Sequence, residues 1–248
     1  MAPKYYTFPS VVSIGSLLLS CLPTPEEPLP PRLGAPTLHT LEIGAVRVGD
    51  SYREAVRLRW EPPSTDSAAV HRYNVIRKDP GDSVFRLAAF DIPDTVTIYD
   101  DVIAEVPRVS DDYTRILYRV FALEASELLR SGDTSAARAV QLAPPPVLEP
   151  IDTFTADTRL RWSVPGIQVG YYSFAMVWDS AGLLWESPRP HHPTYGADGK
   201  LIPFSLKLTD SLLPLAPGRY HWAAQVDVVG GDPDIAAGAI AIGSFHAP

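Results

Sequence analysis

The hydrophobic positions of this chain alternate far more often than they follow a helical stripe. "VRLRWEPP" (56–63) puts Val56, Leu58 and Trp60 on one side and Arg57 and Arg59 on the other. "GRYHWAAQVD" (218–227) puts Tyr220, Trp222, Ala224 and Val226 opposite His221, Gln225 and Asp227. A period of two with one apolar face marks a half-buried antiparallel strand. Elsewhere, short runs rich in β-branched and aromatic residues are broken by Pro, Gly and Asp, which is the punctuation of turns between strands. The pattern predicts an all-β chain. A single sheet cannot cover its own apolar face, so these strands must form sheets packed in pairs.

The pattern is also written twice. "VRLRWEPP" lies over "TRLRWSVP" (158–165), and Tyr118 in "ILYRVFALEA" lies over Tyr220. Trp60 to Trp162 and Tyr118 to Tyr220 are both separations of 102 positions. Two landmarks with one offset point to an internal duplication. Trp60, Tyr118, Trp162 and Tyr220 are therefore the expected core residues, and burying such rings at roughly 25 cal/mol per Å² contributes several kcal/mol per copy. An early strand ending in Trp and Pro, a Tyr-centred strand "HRYNVIRK" (71–78) and the late strand "YRVFA" (118–122) together resemble the fibronectin type III domain. The resemblance implies two tandem immunoglobulin-like β-sandwiches, over 37–142 and 143–248, with "APPPVLEP" (143–150) as a short, proline-stiffened hinge. Leu215-Ala-Pro-Gly-Arg-Tyr220 looks like the family's tyrosine-corner turn, in which the phenol bonds to backbone. The first copy has "SDDYTRILY" in its place, and the second has a longer, less regular middle from Asp179 to Pro203.

Before the first copy stands "MAPKYYTFPSVVSIGSLLLSC", with one cation, Lys4, and an apolar run from Val11 to Leu19. That run is too short to span a bilayer and has the order of an export signal. Leu18-Leu19-Ser20-Cys21 resembles the lipobox of bacterial lipoproteins. The resemblance implies removal of residues 1–20, acylation of Cys21, and a lipid-anchored place in the bacterial cell envelope. Cys21 is the only cysteine, so no disulfide forms within the chain. Residues 21–36 carry prolines at 23, 25, 28, 30, 31 and 36 and read as an extended tether. Leu22 stands where lipoproteins kept at the inner membrane carry Asp, which implies the outer membrane of a Gram-negative host.

Composition narrows the function. The chain has 248 residues, 46% of them hydrophobic, which is globular composition. With 29 acidic against 21 basic side chains the net charge is −8, which argues against nucleic acid as a partner, since phosphate binding needs a basic surface. No G-x-S-x-G elbow, P-loop or H-E-x-x-H stretch occurs, so no enzyme activity and no cofactor are expected. Of six histidines only His191 and His192 adjoin, in "SPRPHHPTYGADG" with Asp198 the nearby acid; this falls short of the ligand set zinc requires and reads as a solvated loop without metal. Asp100-Asp101, Asp111-Asp112 and Asp232/Asp234 lack the spacing of a calcium loop and read as turn formers.

The aromatic-rich stretch 174–195 supplies candidate ligand-binding residues Trp178, Trp185 and Tyr195, together with His191 and His192, for a glycan or protein partner. The favoured reading has Trp178 and Trp185 packing against each other across a hairpin around 179–182. Leu117, Phe121 and Leu123 fall opposite Tyr118 and form an apolar patch suited to contact, with the second module for example. The expected function is a non-enzymatic, lipid-anchored envelope protein whose two modules bind or space. The alternatives are a carbohydrate-binding accessory protein using the second module's aromatics, and a hydrolase built around His191, His192 and Asp198.

Overall fold

A computed structural model describes residues 33–64, 70–103, 106–108, 113–124, 131–155, 157–167, 170–187, 190–198, 200–208, 215–229 and 235–248. Residues 1–20 and Cys21, the signal and lipidation expectations, lie outside them, as do Asp111-Asp112 and Asp232/Asp234. The described residues form strands joined by turns and loops, with no helix among them; the chain is all-β.

The first copy contains β1 (Thr37–Val48), β2 (Ser51–Glu61), β3 (Val70–Lys78), β4 (Arg86–Pro93), β5 (Ile98–Val102), β6 (Thr114–Glu124), β7 (Ser131–Thr134) and β8 (Arg138–Leu142). One sheet has the order β1-β2-β5; the facing sheet runs β4-β3-β6-β8, with β7 also on β6. The second copy contains β9 (Val147–Leu148), β10 (Arg159–Ser163), β11 (Tyr171–Trp178), β12 (Leu183–Glu186), β13 (Thr194–Tyr195), β14 (Leu201–Ile202), β15 (Phe204–Lys207), β16 (Gly218–Val228) and β17 (Ala236–Ala247). It repeats the plan: β9-β10-β15 faces β12-β11-β16-β17, and β13-β14 is an added hairpin. Each copy is thus a three-on-four sandwich of the immunoglobulin-like, fibronectin type III-like kind.

The duplication extends into the strand registers. Ile76 pairs with Arg119 and Tyr73 with Ala122; Trp178 pairs with His221 and Ala175 with Ala224, all at the same offset of 102. Arg-Leu-Arg-Trp is β2 in one copy and β10 in the other. Leu58, Trp60, Leu160 and Trp162 are buried, whereas Arg59, Arg159 and Arg161 face water. Trp60 pairs with Leu38 and meets Tyr73 edge-on at 5.4 Å. Trp162 pairs with Leu148, stacks on Phe204 at 5.2 Å and donates its indole N–H to Ser173 Oγ at 2.8 Å. The Trp60 indole nitrogen is buried with no partner among the described residues.

The two central tyrosines are satisfied differently. Tyr220 donates to the Ala216 carbonyl at 2.8 Å, closing the tyrosine corner. Tyr118 donates instead to the buried Asp101 carboxylate at 2.8 Å, which Arg77 Nη1 also reaches at 2.7 Å. Arg77 in turn binds Asp79. A charged side-chain network takes the role that backbone plays in the second copy, because the first lacks the Pro-Gly turn. Asp100 is bound by Arg57 through two hydrogen bonds of 2.7 and 2.9 Å. This acid pair is a β5 element that neutralises arginines.

The copies are not separate beads on a hinge. β17 pairs in parallel with β8, Ala236 opposite Val140 and Gly238 opposite Leu142, so the two four-stranded sheets become one continuous sheet of nine strands. Within the second copy, a Cβ at Gly238 would run into the Val226 carbonyl of the neighbouring β16, so only glycine admits β16 and β17 this close. The expected hinge is itself docked. Ala143 is fully buried in the second core and donates its N–H to Gly238 at 2.7 Å, and Pro144 and Pro146 are buried. At the other end, the reading of 21–36 as a tether stops short of Leu33. Leu33 is buried in the first core, and its carbonyl accepts from Asp133 N–H at 3.0 Å.

Candidate functional site

The most elaborate polar and aromatic constellation lies where the copies meet. The β1–β2 hairpin is long and turns at Gly49, whose φ of 61° is the left-handed conformation a tight two-residue turn needs. It extends past its own sandwich and covers the outer face of the second copy's β11, β16 and β17. Ala45 and Tyr52 from the hairpin pack there against Met176, Trp178, Ala223, Ile240 and Ile242. Tyr52 stacks on Trp178 at 5.0 Å with an interplanar angle of 23°, tilts against His221 at 5.5 Å and donates to the Asp179 carbonyl at 3.3 Å. Arg47 at the hairpin tip binds the Ser180 carbonyl.

Beneath this cluster Glu54 joins three segments. It pairs with Arg108, accepts from the Ile240 N–H at 3.1 Å, and Arg108 reaches on to the Ala143 carbonyl at 2.8 Å. Burial raises the Glu54 carboxyl above its ordinary value, and Arg108 opposes that shift. A buried charge held by a cation and a backbone donor is costly to separate, so the junction resists opening.

Of the five candidate ligand residues, the structure gathers no solvent-facing platform. Trp178 is 6% exposed beneath Tyr52. Trp185 pairs with Val177, not Trp178, and packs towards the second core; the two indoles lie on opposite faces of the sheet, and their expected contact across the hairpin is absent. The break of register between Val177 and Trp178 places them so. His191 exchanges backbone hydrogen bonds with Ser173 at 2.9 and 2.7 Å and sets its ring edge-on to Trp162 at 5.9 Å. Its Nε2 is buried without a partner among the described residues, and burial lowers its pKa. His192 leans on Tyr172 at 4.8 Å. Tyr195, on the β13–β14 hairpin, is 60% exposed. Burial pushes the neighbouring Tyr171 phenol up to about 12. Asp198 accepts from the Lys200 N–H and lies 3.6 Å from its ammonium, so it serves its own turn. Among the described residues no group of three or more His, Cys, Asp or Glu could hold a metal ion.

Sequence reasoning missed Tyr52, Glu54 and Arg108, whose partners lie far away along the chain. A signal was present on the receiving side. Phe174–Trp178 and Ala236–Ile242 are apolar at almost every position, the mark of strands covered on both faces.

The fold and this junction define a pair of immunoglobulin-like β-sandwiches fused through a shared sheet. No protein-family model and no curated protein sequence matches the chain. Among solved structures it is similar to the chicken interferon gamma receptor alpha chain, at 13% identity and a TM-score of 0.30, over 87% of this chain and 99% of that one. It is also similar to the chicken CNTN1 FN1–FN3 domains, at 12% identity and TM-score 0.25 over 86% and 67%. A tetra-tandem repeat from the extending region of a large adhesion protein is similar at 16% identity and TM-score 0.28, over 85% of this chain and 50% of that one.

Proposed function

We propose that the chain is a non-enzymatic, lipid-anchored protein of the bacterial cell envelope whose fused sandwiches act as one rigid binding or spacer element. The observation that carries the reading is the junction. A shared sheet, a stacked Tyr52–Trp178 pair and a buried Glu54–Arg108 pair hold two modules in one orientation, which suits a rod or platform better than a flexible linker of domains. The anchoring half rests on Leu18-Leu19-Ser20-Cys21 following a short apolar run, and on Cys21 being the lone cysteine. Leu22 favours the outer membrane. Expression in a Gram-negative host tests the anchor. The chain should partition with membranes and carry acyl mass on Cys21, and Cys21→Ser should move it to the soluble fraction. Membrane retention of Cys21→Ser at the original level refutes lipid attachment.

A further inference from the structure

The outer face of the second copy's sheet is covered by a β-hairpin, whereas no described hairpin covers the equivalent face of the first copy, where Leu117, Arg119 and Phe121 are half-buried and Leu87 and Arg115 are exposed. The register identifies it. Ile76 opposite Arg119 and Asn74 opposite Phe121 occupy the places of Trp178 opposite His221 and Met176 opposite Ala223. Leu117, Phe121 and Leu123 on β6 and Leu87 on β4 continue this face, with Phe85 beside it under the Arg119 guanidinium at 4.9 Å. Leu87 is 55% exposed, and Val84 and Phe90 on the flanks are 62% and 72% exposed. The expected use of Leu117, Phe121 and Leu123 as the seam with the second copy is not what the fold does: that seam is made by the β8–β17 pairing and the β1–β2 hairpin.

Charge says what this face fits. In a chain with a net charge of −8, Lys78, Arg115 and Arg119 all lie on it, and none has a carboxylate partner among the described residues. The Nε of Arg119 is buried and has no hydrogen-bond acceptor among the described residues. A second copy docking face to face would set these cations against one another, which opposes association. Strand addition at the neighbouring edge is also disfavoured. β4 is broken by two register shifts against β3 and by Asp91 at a φ of 60°, the kind of irregularity that blunts an edge.

We propose that this face docks an acidic β-hairpin or strand of a partner protein, one carboxylate meeting Arg119 and flanking apolar side chains resting on Leu87, Leu117 and Phe121. The inference rests on the reading of the chain as a binding element and is independent of the lipid anchor. Two labelled hairpin peptides test it on the full chain by fluorescence anisotropy, one alternating Val and Phe with Glu, the other with Lys in place of Glu.

The acidic peptide should bind at least about tenfold more tightly than the basic one, a discrimination of about 1.4 kcal/mol. Arg119→Glu should abolish or reverse that preference. Arg115→Glu, at an exposed position that tolerates change, should weaken acidic-peptide binding severalfold. Arg159→Glu, exposed on the second copy, should leave it unchanged. Equal binding of both peptides, no binding of the acidic one up to about 1 mM, or equal weakening by Arg159→Glu overturns the proposal. So does Arg119-dependent binding to anionic lipid vesicles without peptide binding, which would make the partner a membrane. Loss of membrane attachment in Cys21→Ser bears on the anchor alone, so failure of one reading is distinguishable from failure of the other.

Discussion

The shared sheet makes a sharp thermodynamic demand: damage to one sandwich must be felt by the other. The chain's five tryptophans allow this to be read, because Trp60 alone belongs to the first copy while Trp162, Trp178, Trp185 and Trp222 belong to the second. In a Trp60→Phe background every indole reports on the second copy. Leu58 is fully buried in the first core, on the strand that carries Trp60. Leu58→Ala removes buried methyl groups and leaves a cavity, a loss of about 2–5 kcal/mol. With a urea slope of about 1–3 kcal/mol per molar, the first copy's midpoint should fall by on the order of 1 M or more. If the junction couples the copies, the tryptophan transition falls by nearly the same amount and coincides with the far-UV circular dichroism transition. Tyr52→Ala, which removes the stacking on Trp178 and the bond to Asp179, should split the two transitions. A tryptophan midpoint unmoved by Leu58→Ala, with a separate earlier transition by circular dichroism, would refute the coupling.

Three further outcomes follow from local geometry. Ser173→Ala strands the Trp162 indole N–H and the Gln225 carbonyl that its hydroxyl bridges at 2.8 and 2.9 Å; chemical denaturation should show a loss of about 1–3 kcal/mol, and an unchanged midpoint would show that bridge to be dispensable. His191 and His221 both have folded pKa values held below their ordinary 6.5, chiefly by burial. The unfolded chain therefore takes up protons first, and stability is complete above about pH 6.5 and lost as the pH falls through the folded values. His191→Gln should flatten that decline in urea midpoints measured from neutral to mildly acidic pH. An identical slope would mean His191 does not contribute.

The strands, the duplication and the four core aromatics were legible along the chain, because alternation, Trp-Pro endings and a constant offset of 102 are local or periodic signals. The tyrosine corner at Tyr220 was legible for the same reason, since its acceptor lies four residues away. The matching role in the first copy was not, because Tyr118 is served by Asp101 and Arg77 from other strands. Nor were the fates of Trp178 and Trp185. A bulge of one residue turns an indole from one face of a sheet to the other, and whether that face meets water depends on what packs over it.

Taken alone, the order of residues determined that this chain makes β-strands, that it makes the same set twice, and which rings each set buries, since those follow from side-chain spacing within single strands. Only the tertiary structure decided that the two sets share one sheet, that Tyr52 reaches across to Trp178, and that, among the described residues, the hairpin covers one outer face and not the other. Those outcomes depend on how far the β1–β2 hairpin extends and on the parallel pairing of β8 with β17. The groups that meet there are held together by the fold across long stretches of chain, and no spacing along the sequence records their distance in space.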